Sequence, residues 1–259
     1  MRPRFLYPAL AVVLVCAFSG CGRQQPPSET SSAPVFTVDP STAGSITGTV
    51  IFDGPPPVLR PIDMDSAPAC AKANSSPVLS PEVVLGRNGA LANVVVFVKS
   101  GLENDRFETP KEPVVLDQKG CMYEPHIVAL MANQRLEIRN DDPTIHNVHS
   151  MPAINDGWNK AQRAGSAPLV TSFPHPELAI PFMCNVHPWM RSFVFVFSHP
   201  YFAVTSSSGA FYLHGLPPGV YTIEAWQEKY GVQDQRVTLA PRESKTISFT
   251  FKAPGHASS

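Results

Sequence analysis

Charge is scarce in this chain. Only 16% of its residues are charged, against roughly 25% in an ordinary soluble protein. No block of one sign occurs, and twenty Lys plus Arg face twenty-one Asp plus Glu for a formal charge of −1. A nucleic-acid surface needs a basic stripe or patch, so that class of partner is excluded. Uninterrupted helix-forming stretches are lacking too. The 28 prolines spread over 259 residues break almost every stretch long enough for a helix, because proline has no amide donor and clashes with the preceding turn. A helical bundle is excluded. What the chain has in quantity is apolar material, 43% of its residues, enough for a core and too much for disorder throughout. Its length allows one large domain or two small ones.

The amino terminus reads as an address. Arg2 and Arg4 precede an apolar run at residues 5–18 that ends in Ser19 and Gly20. It is too short for a comfortable bilayer span and has the layout of an export signal. The tetrad Phe18-Ser19-Gly20-Cys21 resembles the bacterial lipoprotein signal, with Phe18 where Leu is usual. That resemblance implies acylation of Cys21, removal of residues 1–20, and a lipid anchor on the periplasmic face of a bacterial membrane, the outer before the inner. The plainer alternative is ordinary signal cleavage that leaves Cys21 a free thiol. Residues 21–44, rich in Pro, Ser and Thr and without apolar period, read as a flexible tether, and residues 254–259 as a tail.

Five cysteines are present, Cys16, Cys21, Cys70, Cys121 and Cys184. Cys16 leaves with the signal and Cys21 would carry lipid, so three remain in a compartment that oxidises thiols in pairs. Cys184 sits in Cys184-Asn185-Val186-His187-Pro188-Trp189-Met190, beside two soft-metal ligands, whereas Cys70 and Cys121 have no such neighbours. A Cys70–Cys121 disulfide is therefore expected. Closing a loop of about fifty residues, it would contribute on the order of 3–4 kcal/mol in the chain-entropy model.

The rest of the chain reads as all-β. Leu136 and Ile138 alternate with Glu137 and Arg139, and Ile247, Phe249 and Phe251 alternate with polar residues, the pattern of half-buried strands. Residues 94–98 and 193–197 are continuously apolar and β-branched or aromatic, as in short strands covered on both faces. Turn signals such as Asp53-Gly54, Asn88-Gly89, Ser208-Gly209 and Pro217-Pro218-Gly219 separate such runs. Ser208-Gly209-Ala210-Phe211-Tyr212-Leu213, with Leu216-Pro217-Pro218-Gly219-Val220-Tyr221, resembles the second half of a carboxypeptidase regulatory-like domain, a transthyretin-like β-sandwich. Gly48-Thr49-Val50, Asp53-Gly54 and residues 93–98 supply the pieces of its first half far upstream. The expectation is a sandwich split between residues 45–111 and 200–253, interrupted by a second domain at 112–199. Two β segments in tandem are the alternative.

Within 112–199 the chemistry-bearing residues fall into two short segments, Ile145-His146-Asn147-Val148-His149 and Cys184 to Met190. Each alone is weak, since Cys-x2-His serves zinc as readily as copper. Together, one thiolate, two imidazoles and a thioether form a soft donor set matched to copper, with His2Cys in a plane and Met as a long axial contact. Structural zinc sites seldom recruit Met. The strands flanking residues 184–190 would be antiparallel neighbours, so three donors lie on one tight loop. Pro188 stiffens that loop by fixing its own φ. His146 follows the 136–139 strand after an Asn-Asp-Pro turn.

These segments resemble the cupredoxins, on the amicyanin and pseudoazurin side of the plastocyanin-like family: a Cys-x2-His-Pro-aromatic-Met-Arg loop through Arg191, and a His-Asn-Val-His segment with Ile145 where proline is common. Tyr123-Glu124-Pro125 and the following strand are similar as well. The resemblance implies a Greek-key sandwich holding one type 1 copper through His146, Cys184, His187 and Met190, with Asn147 tying the two ligand loops and His149 not a ligand. His187 would expose its imidazole edge beside Pro188 and Trp189 as an apolar docking patch, the alternative for Trp189 being packing under the loop. His126, His175, His199 and His214 are scattered, expected to be structural or solvent-facing, and form no second copper cluster.

Four protein ligands leave no open position for a substrate, which suits electron transfer and not catalysis. The expected partner is a redox protein: a c-type cytochrome, a dehydrogenase or an oxidase. Copper storage or delivery, and a structural or adhesion module without redox role, are the readings from other classes.

Overall fold

A computed structural model describes residues 35–103 and 105–253. The chain is all-β, as expected. Strand β1 (Gly44–Asp53) is followed by the short helix α1 (Pro68–Ala73) and by β2 (Val95–Ser100). Nine strands then follow closely: β3 (Val114–Lys119), β4 (Met122–Glu124), β5 (Ile127–Met131), β6 (Leu136–Asn140), β7 (His146–Ser150), β8 (Trp158–Gln162), β9 (Leu169–Thr171), β10 (Glu177–Met183) and β11 (Arg191–Phe197). The last five are β12 (Phe202–Val204), β13 (Ala210–Leu216), β14 (Gly219–Gln227), β15 (Gly231–Leu239) and β16 (Ser244–Lys252).

They form four sheets, ordered β13-β1-β16, β12-β2-β14-β15, β5-β11-β10-β7-β8 and β4-β3-β6-β9. β1 lies between β13, antiparallel, and β16, parallel, while β2 is antiparallel to both β12 and β14. Strands from either side of residues 112–199 thus share sheets, and β3 to β11 pair with one another.

Three apolar clusters join the sheets. Ile46, Val50, Phe211, Ile223 and Phe249 fill the space between the first two sheets, and Leu116, Val128, Ile138, Phe182 and Val194 that between the last two. Strand alternation builds the middle cluster. Along β2, Val96 and Val98 enter the first core while Val95 and Phe97 turn the other way. Along β11, Val194 and Val196 enter the second core while Phe195 and Phe197 turn to meet Val95 and Phe97. This is why both runs lack polar residues: each strand is covered on both faces.

Two stretches pack where the sequence carried no pattern. In residues 36–43, assigned to the tether, Val38 packs on the first core and the Phe36 ring meets Phe107 edge-on at 5.6 Å. Residues 61–79, expected in the split sandwich, pack instead on the last two sheets. Ile62, Met64, Ala67, Cys70 and Val78 join the second core, and Cys70 is disulfide-bonded to Cys121. α1 begins with proline, whose fixed φ suits a first helical turn. Asn74 ends it, its Nδ2 donating to Cys70 O and Gly120 O, each at 2.9 Å. No helix among the described residues is long and apolar enough to cross a membrane.

Candidate metal centre

β10 and β11 pair antiparallel to Met183 and Arg191, and residues 184–190 bridge the end of that hairpin. The Cys184 N–H donates to Met190 O (3.2 Å) and the Met190 N–H to His187 O (2.9 Å), which draws the loop tight. Cys184 and Met190 are both buried in the second core. His146 opens β7, which pairs with β8 and, through His149 and Ser150, with β10. The turn before it is held by the Asp142 N–H on Asn140 Oδ1 (3.1 Å) and by Asn140 Nδ2 on Thr144 O (2.9 Å), side-chain bonds that replace a backbone turn.

The two segments converge. Donor atoms of His146, Cys184 and His187 lie within 4.8 Å of one another, all three residues buried. The Nδ1 atoms of His146 and His187 face each other at 2.9 Å. Cys184 Sγ receives the N–H groups of His187 (3.4 Å) and Asn147 (3.5 Å). Asn147 Oδ1 accepts the N–H groups of Asn185 (2.6 Å) and Val186 (3.3 Å), so this side chain ties the β7 end to the 184–190 loop. Behind it, Tyr123 Oη donates to Asn147 O at 2.7 Å. Burial pushes the Cys184 thiol pKa up, but the hydrogen bonds from His146 and from the Asn147, His187 and Val186 amides outweigh it and hold it below the ordinary value. His187 is moved down, by burial and then by the neighbouring His146.

One expectation needs correction. His187 is buried, 6% exposed, and does not present its imidazole edge as a docking surface. Its Nε2 lies 3.4 Å from Cys70 Sγ, because residues 61–79 and their disulfide cover this end of the sandwich. Trp189 is half-buried, its ring 5.2 Å from that of His187 and its Nε1–H on Cys121 O at 3.0 Å, so it packs against the covering turn. Pro188 remains exposed. Cys121 with Cys70 and His187, and Cys121 with Asp142 and His146, also lie close together. Their sulfurs are bonded to each other and are not thiolates.

The remaining histidines stay apart from the cluster. His126 is bonded to Glu228 (2.6 Å) and Arg191 O (3.1 Å), and buried His199 to Val98 O (2.8 Å). His175 and His214 are exposed, and His149 pairs with Asn185 Oδ1 at 3.2 Å. Cys21 lies outside the described residues. Sequence reasoning missed Tyr123 as a loop tie and Asp142, whose Oδ2 lies 2.9 Å from His146 Nε2. Four residues before His146, Asp142 reads as ordinary turn chemistry.

The donor chemistry fits a single soft ion: one thiol poised to ionise, two imidazoles whose Nδ1 atoms converge, and a buried thioether at the foot of the same loop. No protein family matches the chain, and no curated protein matches it. Among solved structures, amicyanin from Paracoccus versutus is similar over 39% of this chain and 96% of its own, at 21% identity and a TM-score of 0.30. A purple cupredoxin from Nitrosopumilus maritimus is similar over 32% and 98%, at 18% identity and 0.28. The Cu-containing nitrite reductase from Thermus scotoductus SA-01 is similar over 40% of this chain but 25% of its own length, at 16% identity and 0.32.

Proposed function

We propose that this protein is a type 1 copper electron carrier, held at the periplasmic face of a bacterial membrane by lipid on Cys21. The observation that carries the reading is the convergence of His146, Cys184 and His187 donors within 4.8 Å, beside buried Met190. Copper held by these four residues would supply reversible one-electron oxidation and reduction.

The chain's own residues do the rest. Asn147 fixes the two loops against each other, and the amides on Cys184 Sγ favour its ionised form. Burial of every donor keeps water out and opposes rearrangement, which fits electron transfer better than metal delivery. A closed quartet leaves no position for a substrate, so the role is not enzymatic. Ile145 and Val186, each next to a ligand, are 42% and 50% exposed, and with Pro188 they offer a small apolar rim. Such a rim suits the brief encounters of a c-type cytochrome, dehydrogenase or oxidase. The outer sandwich, carboxypeptidase regulatory-like in sequence, serves as the mount.

Two results test this. In voltammetry the copper-loaded protein gives a reversible one-electron wave, and Met190→Gln keeps the copper and moves the wave to lower potential, since a harder axial ligand favours copper(II). A wave that does not respond to Met190 removes it from the donor set. In cells, Cys21→Ala shifts the protein from the membrane to the soluble periplasmic fraction. Membrane retention that survives this change and also survives removal of residues 1–20 contradicts the anchor.

A further inference from the structure

We propose that Asp142 and the Cys70–Cys121 disulfide form one positioning unit that holds the rear edges of both imidazole ligands, an inference that rests on the copper reading above. The contacts run in a chain. His146 Nε2 meets Asp142 Oδ2 at 2.9 Å, and the same oxygen accepts the Cys121 N–H at 2.7 Å. Cys121 is bonded to Cys70, whose Sγ lies 3.4 Å from His187 Nε2. The two Nδ1 atoms, 2.9 Å apart, both face the position a metal would take.

The turn between β3 and β4 makes this possible. Lys119 pairs with Met122, leaving a two-residue turn at Gly120 and Cys121 with φ of 62° and 56°. Positive φ at both central positions is the turn whose twist matches the flanking strands. It aims two successive amides at one carboxylate, Gly120 N–H on Oδ1 and Cys121 N–H on Oδ2, both at 2.7 Å. A non-glycine residue at positive φ is uncommon. At Cys121 it is held by this carboxylate, by the disulfide and, through Gly120 O, by Asn74.

Each contact selects a tautomer. An ionised carboxylate only accepts, so Asp142 requires the proton of His146 on Nε2 and leaves Nδ1 free to bind metal. A disulfide sulfur has no proton to offer, so a hydrogen bond between the two must come from His187 Nε2–H, the tautomer that leaves its Nδ1 able to bind metal. Asp142 is 5% exposed and both cysteines are fully buried, so water does not replace these partners. The disulfide is therefore more than a staple between α1 and the β3–β4 turn.

The test uses the full exported chain. Wild type, Asp142→Asn and a Cys70→Ala/Cys121→Ala double variant are compared by copper affinity against a chelator and by copper(II) paramagnetic resonance. Asparagine keeps the shape of Asp142 but cannot accept all three hydrogen bonds. The expected result is copper bound roughly 10- to 100-fold more weakly by Asp142→Asn, the usual cost of losing an outer partner of a ligand histidine, with an altered resonance spectrum. The double variant is expected to shift in the same direction. A purely structural unit would lower the melting temperature and leave affinity and spectrum unchanged. Affinities within twofold of wild type and identical spectra overturn the proposal. Wild type is read first: if it shows no thiolate–copper(II) absorption, the copper reading falls and this inference with it, whereas a blue wild type with unaltered variants overturns this inference alone. Should the double variant not fold, Asp142→Asn, which keeps the disulfide, decides.

Discussion

Cys184→Ser is expected to abolish the intense visible absorption of the copper(II) protein. Cys184 is the free cysteine among the described residues, buried and aimed at both imidazoles. Two backbone amides point at its sulfur, and its pKa is held below the ordinary thiol value despite burial. A serine oxygen in the same place is hard, stays protonated, and has no high-lying sulfur orbital from which charge can move to the metal. The metal-free variant should keep its fold, because the amides on the sulfur find an oxygen acceptor in the same position. Absorption spectra of both proteins, alongside their metal-free unfolding midpoints, separate loss of the donor from loss of the fold. An undiminished band in a folded Cys184→Ser protein would place the charge-transfer donor elsewhere.

Phe195→Ala should carry the largest cost in stability. Phe195 is fully buried in the middle cluster, its ring 4.9 Å from Trp226 and 6.2 Å from Phe197. Truncating a phenylalanine in such a layer costs about 3–5 kcal/mol, because the cavity left behind closes only in part. That is a large fraction of the roughly 5–15 kcal/mol by which domains are stable. Because β11 also delivers Val194 and Val196 to the core beneath the metal loop, the loss should reach copper retention at elevated temperature as well. Urea unfolding of the wild type and the variant measures it. A difference below about 0.5 kcal/mol, the range of ordinary surface substitutions, would mean that the two sheets do not pack through this ring.

Much of the fold is legible because strands have period two. The alternation of Leu136 and Ile138 with Glu137 and Arg139 reappears as the alternating burial of β6, and that of residues 246–252 as β16. The unbroken apolar runs at 94–98 and 193–197 are strands covered on both faces, as their composition implies. That His146, Cys184 and His187 come together is legible for a different reason: potential soft ligands crowded into two short segments have few other uses.

The Cys70–Cys121 bond is legible from cysteine pairing alone, but not what the segments it joins do around the site. Residues 61–79 have neither strand nor helix period, so nothing in their pattern says that they cover the second core. The burial of His187 follows from that covering and was missed with it. Asp142 was missed because an aspartate before a proline is ordinary turn chemistry. Its role appears only when the Gly120-Cys121 turn, more than twenty residues upstream, is brought against it.

The central claim is that His146, Cys184, His187 and Met190 bind one copper in a closed thiolate site. Paramagnetic resonance of the full exported chain loaded with one equivalent of copper(II) tests it most directly, with the visible spectrum recorded on the same sample. The account predicts an intensely coloured protein with the narrow copper hyperfine splitting that a covalent thiolate produces. A pale protein with the wide splitting of a tetragonal nitrogen and oxygen site would contradict it.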